Sequence, residues 1–485
     1  MKKAYSILIL ALFVNLLTGQ SLPKGFNCST IIVGKDASAT GKVLIGHNED
    51  DGGMQVVNFH KIIAGDKPPA PVEMKNGAVV AAAEENYDYI WLEMPGQDFA
   101  DSFLNENGVL VTSNSCPSRE RYGEISDGGI GYNLRKMVAE RAASARHGVS
   151  IAGQLISELG YNASGRTYTI ADTHEAWMLS VVRGKHWVAM RIPDEQVVYL
   201  PNYYIIREID FNDPENYLYS AGLKQYALTR DWYEQGTEFN FRDVYGNERS
   251  AESMSNIGRM WIGVNKLSGR DYDVENQFPE SFVPAAPVNI GDIMGVLQNH
   301  YEGTALDDSK KYTLHSPHEN KIMNICAGHQ QMSFVAELRD DMPVEIGCRM
   351  WIAPRRGCVH AYMPVYYGID AFPSDYKYYQ DNDLVYKNHF NVPGDMYEND
   401  NGLAWWSFTA LTDYIDDAYG ARIEKRKEHK DKLQEEYFRA AGKFDAEIIK
   451  TWEKDRSQAL NDISKFTRMI LEKAKEDNLQ YMEGK

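Results

Sequence analysis

Cys28 is the first cysteine in the sequence, and covalent chemistry could be built on its thiol. It is one of five cysteines, with Cys116, Cys326, Cys348 and Cys358, and it stands a few residues behind a short apolar run. In an exported chain an odd count leaves at least one thiol unpaired. Taken alone, a cysteine is most simply a buried or bridged structural residue. A lipid-modified cysteine is disfavoured, because Lys24-Gly25-Phe26-Asn27 separates Cys28 from the apolar run. A third role has a chemical logic of its own. If the Asn27–Cys28 bond is cut, the thiol lies next to a free α-amine whose pKa is about 8, so the residue carries its own base.

Other groups that could do chemistry are weaker. His315 and His318, with His329 nearby, suggest a metal pair. Pro317 breaks any helix between them and no acidic or cysteine partner falls at ligand spacing, so no metal and no organic cofactor is expected. Glu49 and Asp50 form an acid pair in sequence, but neighbours on a strand point to opposite faces and should not act together. Cys348 and Cys358, ten residues apart, are compatible with a disulfide and equally with two buried thiols. The glycines at 128, 129 and 131 lack the G-x-G-x-x-G pattern and read as a turn into a helix.

The elements that must carry these residues are mixed. Ser29–Gly34 and Lys42–Gly46 read as a hairpin turning at Gly41. Val56–Ala64, Ala78–Ala83 and Val109–Ser113 are further strands, the last behind an Asn107-Gly108 turn. Over residues 130–160 the apolar spacing turns helical, with one stripe through Leu134, Met137, Val138 and Ala142 and a second helix over Ile151–Leu159 ending at Gly160. Strands return at Thr167–Ala171, Ala176–Val182 and Trp187–Ile192. The stretch 205–320 is mixed and polar, with one helix near 290–299. Strands follow at Phe334–Leu338, Arg349–Ala353 and Val359–Tyr367. Residues 415–485 carry apolar stripes on a Lys/Glu/Asp background, predicting two long amphipathic helices broken near Gly442. Strands, then helices, then strands indicate an α+β layered fold.

Composition bounds the partners. The 485 residues carry a net charge of −18. Lys2 and Lys3, the apolar Ile7–Leu17 and the small residues after it read as a signal peptide over 1–19, with 20–27 as a propeptide. Removing residues 1–27 takes away three lysines and no acid, which carries the charge to −21. Such a surface argues against nucleic acid and anionic membranes. No stretch is long and apolar enough to span a bilayer. The expected location is secreted or periplasmic, and a homo-oligomer is left open.

The runs C-S-T-I-I-V-G (28–34) and G-K-V-L-I-G-H-N-E-D (41–50) resemble the opening of the dipeptidase A type of cysteine dipeptidase, an N-terminal nucleophile (Ntn) hydrolase. The resemblance continues through F-L-N-E-N-G-V-L-V-T-S-N (103–114), G-I-G-Y-N-L (129–134), Y-T-I-A-D-T-H-E-A-W (168–177), V-A-M-R-I-P-D (188–194) and M-P-V-Y-Y-G-I (363–369). It implies a four-layer αββα fold over 28–402; the helical extension over 403–485 is read from the change of composition there and carries little of the resemblance. The resemblance also implies Cys28 as nucleophile, Asp50 positioning the α-amine, Asn114 at the oxyanion, Asn202 as a second polar group and Arg259 beside the thiol. Relatives often carry arginine where this chain has His47, a position near the substrate. A fixed cation there would stabilise thiolate and oxyanion, whereas histidine is charged only part of the time near neutral pH. The implied substrate is a dipeptide. Rival readings are an acylase of the bile salt hydrolase or penicillin V acylase kind, and a secreted binding protein without activity.

Overall fold

Short β-branched runs separated by turns build two antiparallel sheets. The computed structural model describes residues 28–50, 57–65, 68–74, 76–94, 101–131, 133–275, 277–377 and 402–484. The expected signal peptide and propeptide lie outside the described residues, as does Val56 at the start of one expected strand. The strands are β1 Ser29–Val33, β2 Val43–Asp50, β3 Asn58–Ile62, β4 Val72–Glu73, β5 Val79–Val80, β6 Tyr89–Glu93, β7 Ser102–Asn105, β8 Leu110–Ser115, β9 Tyr161–Ala171, β10 Ala176–Gly184, β11 Trp187–Arg191, β12 Val197–Leu200, β13 Tyr217–Tyr219, β14 Gln330–Leu338, β15 Cys348–Pro354 and β16 Met363–Tyr366. One sheet runs β12-β1-β2-β14-β15-β16 and the other β13-β11-β10-β9-β8-β7-β6-β3.

The period of two along each strand sorts side chains between layers. On β10, Met178 joins the main core with Ile32 and Ile45 of the first sheet, while Trp177 and Leu179 join a second core. That second core is filled by Met137 and Val138 of helix α1 (Leu134–Arg141) and by Val149 and Ile156 of helix α2 (Ala145–Leu159). The outer face of the six-stranded sheet is covered by the helices Met254–Ser268 and Ile290–Leu297. The approach is close: a Cβ on Gly46 would stand 2.3 Å from Ile293, and one on Gly263 would stand 2.3 Å from the Tyr199 ring. Helix, sheet, sheet, helix is the αββα order expected.

The chain differs from its sequence reading in several places, and the expected Val359–Tyr367 strand begins only at Met363. Val79–Val80 is all that forms of the Ala78–Ala83 strand. The polar middle holds the 15-residue helix Met254–Ser268, which the sequence reading did not separate from its loops. The C-terminal segment forms three helices, Ala404–Asp417, Tyr419–Trp452 and Arg456–Glu483. The break between the last two falls at 453–455, where the Asp455 side chain accepts from Gln458 N–H and caps the new helix. Gly442 lies inside the long helix, since one glycine costs only about 1 kcal/mol there and flanking Tyr437, Ala441 and Ile448 are buried. These helices continue the outer layer. Phe438 packs on Trp351 of β15, with ring centroids 4.7 Å apart, and Leu433, Tyr437 and Ile470 belong to the main core.

These contrasts give a stability prediction. Gly263→Ala forces the buried Tyr199 ring to move and is expected to cost about 1–3 kcal/mol. Gly442→Ala meets nothing within 4 Å and should gain up to about 1 kcal/mol. Urea unfolding of both variants checks the opposite signs.

Candidate active site

Cys28 immediately precedes β1, and the register fixes its surroundings. Ser29 pairs with Asn48, so Cys28 lies level with Glu49 and Asp50 at the end of β2. Residues 30 and 47 face the other sheet. The Thr30 hydroxyl donates to Asn114 Oδ1 on β8 (2.5 Å) and lies 2.8 Å from His47 Nδ1. His47 Nε2 is 3.2 Å from Glu49 Oε2. The Cys28 thiol donates to the other oxygen of that carboxylate, Oε1, at 3.1 Å. A relay thus runs from Asn114 through Thr30, His47 and Glu49 to the sulfur, and all of it is buried.

The opposite face of the hairpin reaches the same residue. Arg259, on the helix Met254–Ser268, donates through Nη1 to the Cys28 carbonyl oxygen (2.8 Å) and to Ser29 Oγ (3.3 Å). Its Nη2 donates to Asn202 Oδ1 (2.9 Å) and Asn256 Oδ1 (2.6 Å), and its Nε to Ser255 O (2.9 Å). Asn114 Nδ2 donates to the Cys28 carbonyl as well (3.0 Å), and to Leu200 O and Pro201 O at 2.9 and 3.3 Å. Asn202 Nδ2 donates to Ser115 O at 2.9 Å. Cys28 is therefore gripped by its carbonyl from the eight-stranded sheet, through Asn114, and from a helix, through Arg259.

Asp50 stands apart from this grip. Its carboxylate is fully buried, and neither oxygen has a hydrogen-bond partner among the described residues. Burial pushes its carboxyl well above the usual carboxylate range, while the Arg259 guanidinium pulls it back. Burial, with Glu49 and then Asp50 adding negative potential, likewise holds the Cys28 thiol well above its ordinary value, although the Asp50 backbone N–H eases the sulfur. A buried carboxylate without a donor is costly.

All six residues singled out in the sequence meet here: Cys28, His47, Asp50, Asn114, Asn202 and Arg259. The structure places a fixed cation, Arg259, on the Cys28 carbonyl. His47 meets the thiol's partner Glu49 rather than the thiol. The expectation that Glu49 and Asp50 cannot serve one site needs correction. They do point to opposite faces, but Cys28 sits where the strand begins and both faces reach it. A β-bulge at Gln331 on β14 lies opposite the pair, and such bulges increase local twist and re-aim side chains. Glu49 was therefore readable as a site residue only from its place two residues after His47.

A second polar cluster lies outside this site. Among the described residues, one group of side chains offers metal-ligating atoms within 4.8 Å of one another: His300, His318, Cys326 and Cys358. His318 was visible in the sequence, but its partners are not His315 and His329. Cys358 neighbours Cys326 rather than Cys348, and Cys348 lies against Gly108 instead. All five cysteines are free thiols in this structure.

The family model described as Peptidase family C69 matches residues 27–431. The chain belongs to that family. The match begins one residue before Cys28 and runs into the long C-terminal helix. A probable dipeptidase of Latilactobacillus sakei is 25% identical over 414 residues, covering 81% of this chain and 82% of that one. A probable dipeptidase B of Lactococcus lactis is 28% identical, covering 72% and 76%. The C69 member described here is thus a peptide-bond hydrolase. A mutant conjugated bile acid hydrolase from Clostridium perfringens covers 68% of this chain and 89% of its own at 11% identity, with a TM-score of 0.31. At that score the likeness adds nothing to the layer order read from the chain itself.

Proposed function

We propose that this C69 peptidase is an exported dipeptidase whose nucleophile, Cys28, is uncovered by cleavage of the Asn27–Cys28 bond. One observation carries the reading: the buried carboxylate of Asp50 next to Cys28, which has no hydrogen-bond partner among the described residues. Cleavage turns the Cys28 amide into an amine that binds a proton. An ammonium there supplies a hydrogen-bond donor to Asp50 and adds to the positive charge that Arg259 already places near it. The names of the relatives support dipeptides as substrates, and residues 1–19 support export.

The steps follow from the groups present. The α-amine, as free base, takes the Cys28 proton, and Sγ attacks the scissile carbonyl. Arg259, held near residue 28 through its carbonyl, supplies positive potential for the oxyanion, and Asn114 Nδ2 would donate to it by giving up one of its main-chain acceptors. The leaving amine takes the proton back, and a thioester on Cys28 remains. Water, deprotonated by the same amine, hydrolyses it and restores the thiol.

N-terminal sequencing of the active protein tests the maturation step, and cysteine as its first residue is the expected result. Full activity in a chain that keeps residues ahead of Cys28 would overturn it. A panel of dipeptides set against conjugated bile acids and penicillin V tests the substrate class. Faster turnover of the N-acyl amides would move the assignment to an acylase.

A further inference from the structure

His300 and His318 turn their Nε2 atoms toward each other at 3.1 Å. A carboxylate stands behind each ring. His300 Nδ1 is 2.9 Å from Glu302 Oε1, and His318 Nδ1 is 2.7 Å from Asp416 Oδ1. Arg356, which pairs with the same Asp416, also lies 3.1 Å from His318 Nδ1, and Ser316 Oγ lies 3.3 Å from it. An imidazole that gives its Nδ1 proton to a carboxylate keeps a lone pair on Nε2, the arrangement that orients metal-binding histidines. Here two such lone pairs face each other. The Cys326 and Cys358 sulfurs complete the group, 3.9 and 3.6 Å from His318 Nε2.

Zinc bonds of about 2.0–2.3 Å on tetrahedral corners place ligand atoms about 3.3–3.8 Å apart. The separations from His318 Nε2, 3.1, 3.6 and 3.9 Å, bracket that range, and all four donor atoms lie within 4.8 Å of one another. A single proton between the rings would satisfy one of these contacts, whereas a metal ion satisfies all four. We propose that His300, His318, Cys326 and Cys358 form a structural Zn2+ site. Four protein ligands close the coordination shell and leave no position for a reacting water, so the ion holds structure rather than acting on substrate. Binding releases the two thiol protons to solvent, and no electron is transferred.

The site joins three segments that the sheets do not join. His300, His318 and Cys326 lie on the long connection before β14, and Cys358 lies in the turn after β15. Asp416 lies on the first C-terminal helix. Tyr419, at the start of the next helix, closes over both imidazoles, with centroids 6.0 and 5.2 Å away. The link also reaches the hairpin that carries the nucleophile, because Asn48 on β2 donates to Ile325 O at 2.8 Å. The zinc assignment does not depend on how Cys28 matures.

The test is metal analysis of the full-length protein, purified without chelator. About one zinc per chain is expected, also in Cys28→Ala, and chelation under reducing conditions should lower the melting temperature. Cobalt refilling should give the intense visible bands of a tetrahedral thiolate site. Cys326→Ser and Cys358→Ser should lose the zinc. Asp416→Asn should weaken binding about 10–100-fold. If the serine variants fail to fold, the wild-type metal content and the cobalt spectrum decide. Reduced protein that holds no zinc and takes up no cobalt overturns the proposal. So does native protein without metal in which Cys326 and Cys358 are joined as a disulfide.

Discussion

Cys28→Ala is expected to lower kcat/KM on a dipeptide by about 10⁴-fold or more, because the covalent step has no substitute. Cys28→Ser keeps the contact with Glu49 but presents a hydroxyl whose proton the α-amine removes far less readily, so it too should be close to inactive. Neither variant removes the grip on residue 28, since Asn114 and Arg259 bind its carbonyl. Both should therefore fold, which circular dichroism and melting temperature would establish. The alanine variant also reports on maturation. If the chain cuts itself, Cys28→Ala should accumulate with its leader intact, seen as a higher intact mass. Wild-type turnover by the alanine variant would remove Cys28 from the mechanism.

Arg259→Lys should cost about 10²–10³-fold in kcat/KM, the scale for removing one preorganised charged donor. A lysine ammonium cannot span the positions that the guanidinium reaches at once, from the Cys28 carbonyl to Asn202 and Asn256. Arg259→Met goes further. It leaves those buried acceptors short of donors and Asp50 without its nearest positive neighbour, so it should destabilise the chain by about 3–5 kcal/mol. The two effects separate in a paired experiment. Steady-state kinetics read the loss in Arg259→Lys, and urea unfolding reads it in Arg259→Met. Near-wild-type kinetics for Arg259→Lys would make the residue a structural strut only.

Much of this was legible in the sequence because the site is built from short motifs at strand ends. The run ending in H-N-E-D places His47 and Asp50 by register, and a turn at Asn107-Gly108 leads directly to the strand bearing Asn114. The helix holding Arg259 was hidden, since its apolar stripe is interrupted by Asn256, Arg259 and Asn265 and it sits among polar loops. Glu49 was set aside by an alternation rule that holds along a strand but loses its force at the last residues of β2, opposite the residue that leads into β1. The cysteine and histidine cluster was out of reach for a simpler reason. Its ligands span residues 300 to 358, and only the folding of one long connection against a distant turn brings them together. Local spacing offered His318 the wrong neighbours for the same reason that it offered Cys358 the wrong cysteine.

If Cys28 is uncovered by cleavage as proposed, the double hold on its carbonyl bears on how the enzyme is switched on. The Cys28 carbonyl is already fastened by Asn114 and Arg259, and the Asp50 carboxylate is already buried beside it. On that proposal, loss of the leader alters charge and leaves this fastening alone. Latent and active forms should be nearly superimposable over the sheets and differ in isoelectric point. Activation would proceed at the speed of the cut, with no rearrangement to wait for afterwards.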